Sequence, residues 1–453
     1  MRERIRSLPD GEYRYEAYLE GGRERLTPLV IRARVVIAGD SVTVDLTGAA
    51  PQTAGPTNVG PAMAPTGAFT ILKAFLDPGG EINSGAFRPL TVIAPEGSVV
   101  NARPPVPCGG MVEVKYCVES AVMGALAQAI AGKVTGDLKG GGNHCYVGGT
   151  DPRTGGTFIF YEYPAGGTGA FEGGDGSSTV RTFTESDITT IQPVEAVEQK
   201  YPLRVERLEL RMDSGGDGRW RGGLGLRREV SLLAPEAQLS VLAEKNLLPP
   251  YGVCGGMSGA PNRFYVIRNG GEIEPSPLPG KVSGFPLRAG DLVVMETSGG
   301  GGYGDPLERD PVAVARDVAE GVISPAKAEN VYGVVVRDGS VDQEETRRRR
   351  ERLRQTRPTI RLHCHEGLKY KEGHRCCALT RQAAEKLGIE AGDLVEFASA
   401  GGAPLRAWVQ VIADDASIQG YLSDDGLAIL GIREGENVQI RTVLRHTKTL
   451  SPG

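Results

Sequence analysis

Apolar and polar residues alternate at Ile31, Ala33 and Val35, and again at Val42, Val44 and Leu46, on either side of Gly39-Asp40. Period-two patterning around a two-residue glycine turn predicts a β-hairpin. The pattern then gives way to turn residues: Pro51, Gly55, Pro56, Gly60 and Pro61. From Val114 onward the apolar positions recur at Val118, Val122, Leu126 and Ile130, which predicts a buried amphipathic helix engaged in core packing. Between 140 and 305, short apolar runs alternate with glycine clusters. Phe158-Ile159-Phe160-Tyr161 and Leu292-Val293-Val294-Met295 predict strands. Leu203-Arg204-Val205-Glu206 alternates and then slips by one before Leu208 and Leu210, which predicts a bulge. Asp310-Pro311 and Ser324-Pro325 are helix starts, and Gly321 closes the first of these helices.

The character changes at 341–360. Arg347, Arg348, Arg349 and Arg350 lie among Glu344, Glu345 and Glu351. Interspersed charge of both signs reads as a solvated helix leading into a linker rather than as a nucleic-acid patch. Beyond it the chain repeats itself. Leu379-Thr380 opens a segment that ends Leu387-Gly388-Ile389, then Gly392-Asp393 and Val395. Leu422-Ser423 opens a second that ends Leu430-Gly431-Ile432, then Gly435-Glu436 and Val438, at a constant offset from the first. Each copy reads as a hydroxyl N-cap, a two-turn helix, a glycine stop, a tight turn and a strand. Two copies suit a small barrel with internal twofold symmetry, and the pattern resembles the double-psi β-barrel domains. The expected organisation is therefore α+β and strand-rich with a few helices over residues 1–340, a charged helix or linker at 341–360, and a small double-psi-like β-barrel over 361–453.

Composition narrows the function. The chain has 453 residues with Lys+Arg 51 against Asp+Glu 56, a net charge of −5, and this balance argues against a general phosphate-backbone binder, which would need a basic excess or a dense basic face. The longest apolar stretch, around Ala121–Ala131, is too short to span a bilayer. No charged-then-apolar segment opens the chain, so no secretory signal is expected. Seven Cys without a regular framework fit a reducing compartment, and a cytoplasmic location is expected.

The glycine motifs carry a resemblance. "LPDGEYRYE", "VTVDLTGAAPQTAGPTNVG", "NSGAFRPLTVIAPEGSVVNARPP", "GGGNHCYVGG", "YEYPAGGTGAFEGGDGSS", "QPVEAVEQKYPLRVERLELRMDSGGDGRWRGGLGLRRE" and "SGGGGYGDPLERDPVAVARDVAEGVIS" follow one another through residues 1 to about 340. In this order they resemble the B component of the hydantoinase/5-oxoprolinase family, which also includes the large subunits of ATP-dependent ketone carboxylases. The resemblance implies a subunit of an ATP-dependent cyclic-amide hydrolase, in which a separate hydantoinase A-like component uses ATP to phosphorylate a poorly electrophilic carbonyl. It also admits a subunit of a ketone carboxylase using bicarbonate. A third reading, a truncated non-catalytic scaffold that docks the ATP-using partner, stays open. The family's B components begin with a further segment whose His- and Asp-bearing motifs are thought to bind a divalent metal, Zn or Mn. Those motifs are absent here, so the metal is expected on a missing segment or on a partner chain. No G-x-x-x-x-G-K-[ST] loop occurs, because Gly132-Lys133 lacks the upstream glycine and the hydroxyl residue, so ATP is expected to belong to the partner.

Several local features are candidates for chemistry. Gly166, Gly167 and Gly169, followed by Gly173, Gly174 and Gly176, offer backbone N–H groups to an anionic intermediate. Glu162 at a strand end and Asp175 in the loop are the candidate catalytic carboxylates, one as base and the other as a metal or ammonium partner. The alternative is that the glycines make turns and the carboxylates face water. Arg219 and Arg221 in "DSGGDGRWRGGLG" are either anion clamps or, on the favoured structural reading, part of a turn in which Arg221 pairs with Asp213. His144 and Cys145 are adjacent on an expected strand and so point to opposite faces, which argues against a Cys–His nucleophile. Ser258 lacks the G-x-S-x-G spacing of a nucleophile elbow. Three of the seven Cys and three of the five His fall between 363 and 377. His363 and His365 on one strand face, meeting His374 or Cys376 across a turn, are the candidate zinc ligands, against a bland alternative of buried thiols and exposed imidazoles.

Overall fold

The hairpin around Gly39 forms the middle of the first sheet in a computed structural model that describes residues 1–21, 27–130, 132–182, 184, 191–368, 370–371, 373–412 and 417–445. After a short helix α1 (Arg2–Arg6), strands β1 (Gly11–Leu19), β2 (Leu29–Ala38) and β3 (Ser41–Asp45) run antiparallel. Helices α2 (Met63–Leu76) and α3 (Ser84–Phe87) then lead to β4 (Leu90–Ile93), which pairs with β3 in parallel. Ala38 pairs with Ser41, so the loop is Gly39-Asp40 alone, and Gly39 takes φ +59°. Val35, Ile37, Val42 and Val44 are buried on the inner face.

Helix α4 (Met111–Ala129) packs against β1, β2 and α2. Its predicted stripe of Val114, Val118, Val122 and Leu126 is buried, but so are Glu113, Tyr116, Glu119 and Ser120. The four-residue spacing captured only the sheet-facing side of a helix that is covered all round. Polar groups enclosed in this way need partners.

Nine strands follow: β5 (His144–Thr150), β6 (Thr157–Glu162), β7 (Leu203–Leu210), β8 (Leu226–Leu232), β9 (Glu236–Leu242), β10 (Arg263–Arg268), β11 (Gly271–Ile273), β12 (Lys281–Arg288) and β13 (Leu292–Glu296), with helix α5 (Val194–Lys200) between β6 and β7. They form a four-stranded sheet, β12-β9-β5-β6, and a five-stranded sheet, β11-β10-β13-β8-β7. Cys145, Val147, Phe160, Val230, Leu239 and Val293 belong to one core cluster contributed by both sheets. The slip in β7 is a register shift between Val205 and Arg207.

The glycine clusters interlock. Gly167 N–H donates to Ser298 O at 2.9 Å, Gly300 N–H to Gly223 O at 3.0 Å, Gly223 N–H to Thr168 O at 2.9 Å and Gly301 N–H to Asp137 O at 2.9 Å. Extended segments far apart in sequence thus hydrogen-bond side by side with almost no side chains between them. A Cβ on Gly300 would lie 1.9 Å from Thr168 O, so close backbone approach is what demands glycine there.

Helices α6 (Pro311–Ala319) and α7 (Pro325–Asn330) carry the expected caps, Asp310 accepting from Val312 N–H and Ser324 from Lys327 N–H. Short strands β14 (Val336–Arg337) and β15 (Ser340–Val341) precede the arginine-rich helix α8 (Gln343–Thr356). This helix is held to the body as well as solvated. Arg350 Nε donates to Tyr332 O at 3.0 Å, and Arg357, just past its end, pairs with Asp305.

The final segment contains β16 (Thr359–Cys364), β17 (Tyr370–Lys371), β18 (His374–Thr380), α9 (Arg381–Leu387), β19 (Leu394–Phe397), β20 (Leu405–Ile412), β21 (Gln419–Leu422), α10 (Asp424–Leu430) and β22 (Asn437–Leu444). The order β18-β20-β19-β22-β16-β21 closes into a six-stranded barrel because β21 pairs back onto β18. The two repeats are its halves. Thr380 and Ser423 are the N-caps of α9 and α10, and Gly388 and Gly431 end them in the left-handed region at φ +61° and +67°. Barrel residues such as Leu362 and Leu405 belong to the same buried cluster as Val35 and Leu126 of the first layers. Among the described residues no helix is long and apolar enough to cross a membrane. All seven cysteines are free.

Candidate active site

The polar residues enclosed at the start of α4 meet the first residue of β5 and the end of β6. Glu113 lies in the first helical turn, where the helix N-terminus favours a carboxylate. Its Oε1 accepts from Gly142 N–H at 3.1 Å and lies 3.5 Å from His144 Nε2. On the other side of the imidazole, Nδ1 is 2.7 Å from the Tyr161 hydroxyl. A carboxylate, an imidazole and a phenol therefore stand in a row, an acid–base constellation.

Local structure fixes each member. The β5–β6 register sets Tyr146 opposite Tyr161 and Cys145 opposite Glu162. His144, Tyr146 and Tyr161 thus share the outer face of the sheet, while Cys145 and Glu162 face the core. Asn143, at φ +52°, turns the chain into β5, and its Oδ1 accepts from Asn262 Nδ2 at 2.9 Å. A Cβ on Gly142 would sit 2.3 Å from His144 Nε2 and 2.5 Å from Tyr163 Cε2, so the imidazole occupies the space this glycine vacates. The rings of Tyr146, Tyr161 and Tyr163 stack around His144, with centroids 6.3, 5.8 and 5.1 Å from it. Lys139 Nζ and Arg181 Cζ lie 4.4 and 3.5 Å from the Tyr163 ring centroid, placing two cations beside the constellation. Burial, with the neighbouring Tyr146 phenol, pushes Tyr161 up to about 12. Lys115 and Glu119 form an ion pair of 2.7 Å farther along α4.

The residues singled out from sequence have other placements. Glu162 ends β6 as expected but points between the sheets, with Arg228 Nε 3.0 Å away and both side chains buried. Burial raises Glu162 to about 7 despite the pull of Arg228. Asp175 belongs to a different cluster. It takes both Arg309 Nη atoms at 2.7 Å and accepts from Arg221 N–H at 2.7 Å. Burial alone would raise Asp175, but Arg309 outweighs it and holds the carboxyl low. The structure does not bring Glu162 and Asp175 onto a common partner.

Gly166, Gly167 and Gly169 lie inside the glycine bundle. Gly166 accepts from Val180 N–H, Gly167 donates to Ser298 O, and a Cβ on Gly169 would fall 1.7 Å from Gly136 O. Arg219 is exposed, whereas Arg221 is buried and donates to Gly222 O at 2.6 Å. The expected Arg221–Asp213 pair is not formed. Arg221 lies 3.8 Å from Asp317, and Asp213 Oδ1 accepts from Ser324 N–H.

The four candidate zinc ligands are dispersed. His374 Nε2 donates to Pro28 O at 2.7 Å and its ring packs on Trp408. Cys376 is buried, with its Sγ 3.6 Å from His374 O. His363 Nδ1 is 3.5 Å from Glu434, and His365 stands edge-on to Tyr421. The reason is topological: β16, which carries His363, pairs with β21 and β22 and not with β18. Among the described residues no group of three or more His, Cys, Asp or Glu side chains is placed to hold a metal ion.

His144 and Cys145 do point to opposite faces, and burial pushes the Cys145 thiol well up. What sequence reasoning missed is that the partners of His144 are Glu113 and Tyr161. The available signal was the run Glu113, Lys115, Tyr116, Glu119 and Ser120, polar groups placed inside a helix whose apolar stripe already marked it as buried.

The family model described as Hydantoinase B/oxoprolinase matches residues 1–306. The putative B-type component of a D-/L-hydantoinase from Pseudomonas sp. is 34% identical over 358 residues, covering 76% of this chain and 59% of that protein. The beta chain of the caprolactamase of Pseudomonas jessenii is 30% identical over 352 residues, covering 75% of this chain and 59% of that one. The crystal structure of the ATP-dependent caprolactamase from Pseudomonas jessenii superposes with a TM-score of 0.68 at 27% identity, over 77% of this chain and 61% of that chain. The nucleotide-free structure of acetone carboxylase superposes with a TM-score of 0.67 at 22% identity, over 78% and 54%, a likeness of fold alone. The chain thus spans less than two thirds of the length of these relatives.

Proposed function

The chain belongs to the hydantoinase B/oxoprolinase family, and we propose that it is a subunit of an ATP-dependent cyclic-amide hydrolase that acts on a carbonyl activated by a separate hydantoinase A-like, ATP-using component. The observation that carries this reading is the Glu113–His144–Tyr161 row at the open face of the second sheet. Opening an activated ring amide requires a proton to be taken from water and one to be given to the departing nitrogen, and a carboxylate–imidazole–phenol row is built for both. The lack of a phosphate-binding loop in the sequence supports assigning ATP to the partner. Among the described residues no group of three or more His, Cys, Asp or Glu side chains is placed to hold a divalent metal, so in this reading the metal lies on a further segment or on a partner chain, and no step assigned to the described residues runs through it.

The test combines the purified chain with the ATP-using component and the metal-bearing segment or chain, and with hydantoin, 5-oxoproline and caprolactam in turn. The expected result is ring-opened product and ADP formed together, with none from this chain alone. Ring opening by the isolated chain, or ketone carboxylation from bicarbonate in place of ring opening, overturns the proposal.

A further inference from the structure

We propose that Tyr161 is the catalytic base of this site, activated through His144, with Glu113 as the residue that positions the imidazole. This rests on the family reading only for the identity of the reacting carbonyl. Glu113 faces Nε2 and the Tyr161 hydroxyl faces Nδ1. The neutral tautomer that satisfies both carries its proton on Nε2, toward the carboxylate, and leaves Nδ1 as an acceptor for the phenolic O–H. This is the logic of a nucleophile–histidine–carboxylate triad with a phenol at the outer end. Gly142 serves it twice, through its N–H on the Glu113 carboxylate and through the missing Cβ that admits the imidazole.

The step balances with water as the added reagent and inorganic phosphate as the leaving product. A water molecule gives a proton to the Tyr161 oxygen as the phenolic proton passes to His144 Nδ1. The water oxygen forms a bond to the activated carbonyl carbon, and the imidazolium is stabilised by Glu113. As the water adds, the C=N π pair moves onto the ring nitrogen, which takes the proton back along the same path. When the ring C–N bond then breaks, its electron pair stays on nitrogen and the proton of the new hydroxyl follows through the relay. The acyl phosphate left behind is hydrolysed by a second water to carboxylate and inorganic phosphate. The relay ends as it began. Tyr161 is suited to the outer position because it is 39% exposed, whereas Glu113 is 1% exposed and cannot meet a substrate.

Tyr146 is 38% exposed, pairs with Tyr161 across the strands and hydrogen-bonds to its phenol, so it belongs to the same cluster, and the comparison is made on Tyr161 itself with and without the imidazole. The intact chain is treated with N-acetylimidazole and tyrosine acetylation is followed by mass spectrometry. Tyr161 in the parent chain is expected to react about tenfold faster than Tyr161 in His144→Gln. Equal Tyr161 rates in the parent and in His144→Gln overturn the relay even if the assembled complex opens lactams. A clear advantage without lactam turnover keeps the relay and overturns the substrate reading instead. In a complex that turns over, Tyr161→Phe is expected to lower kcat about 100-fold with KM changed less than about twofold. An unchanged kcat overturns the proposal.

Discussion

Arg375 on the barrel strand β18 places Nη2 3.0 Å from Glu16 Oε1 on β1, and both side chains are buried. The same guanidinium reaches Asp425 Oδ2 at 3.0 Å and Ser423 Oγ at 3.1 Å. One side chain therefore joins the first sheet to the second repeat of the barrel. Replacing it by an apolar group of similar length would leave Glu16 enclosed with Arg32 as its remaining cation among the described residues. Arg375→Met is expected to cost about 3–5 kcal/mol, the usual penalty for stranding a buried charge. Because body and barrel share one core cluster, thermal unfolding of the variant should remain a single transition at lower temperature. A separate early barrel transition would show that the junction is not cooperative.

The glycine bundle makes a sharper distinction. Gly300→Ala would drive a Cβ to within 1.9 Å of Thr168 O, a backbone atom that no rotamer can move aside. The expected loss is about 3 kcal/mol or more, from overpacking against main chain. Gly60 has nothing within 4 Å of its Cβ position, and Gly60→Ala should stay within about 0.5 kcal/mol of the parent. Urea unfolding of the two variants side by side checks this, and similar midpoints would refute the close-approach account.

Gly142→Ala separates fold from chemistry. The atoms its Cβ meets are His144 Nε2 and Tyr163 Cε2, the ends of side chains that are able to swing. Stability should fall by only about 1 kcal/mol, while displacement of the imidazole should lower kcat of the assembled complex by at least about tenfold. Melting temperature and turnover measured on one preparation decide whether the two effects part in this way.

Much of the architecture was readable because its cause is local. The Gly39-Asp40 turn, the Asp310 and Ser324 caps and the paired Gly388 and Gly431 stops each depend on a few neighbouring residues, and each lies where the pattern placed it. The glycine motifs were recognisable in order but not in role. Gly167, Gly223 and Gly300 exist for one another across large sequence separations, and a string of residues does not reveal which backbone another will touch. The site failed to show for the same reason. Strand alternation correctly separated His144 from Cys145, yet the partners of His144 come from a helix start and from the neighbouring strand. The grouping of His363, His365 and His374 failed through topology, because closeness in sequence across β16–β18 is not adjacency in the barrel.

Two buried glutamates set the response to pH. Burial raises Glu162 and Glu244 from their ordinary 4.5 to about 7, with Arg228 and Lys281 pulling the other way. Between about 4.5 and about 7 the unfolded chain has already released protons that the folded chain still holds, so these two groups make stability fall as pH rises through that window. Asp175 and Asp425 act in the opposite sense. Burial works against them, but Arg309 and Arg375 hold both low, so their contribution is present above the unfolded carboxylate range and is lost as pH falls. The two slopes meet near about pH 5, where stability should peak. Urea midpoints measured from pH 4 to pH 8 should rise and then decline. In Glu244→Gln, which is neutral throughout, the decline above about pH 5 should be shallower than in the parent. Midpoints that climb steadily to pH 8 would mean that Glu244 ionises in the folded chain as easily as in water, and that Lys281 and the amide of Glu20 compensate its burial in full.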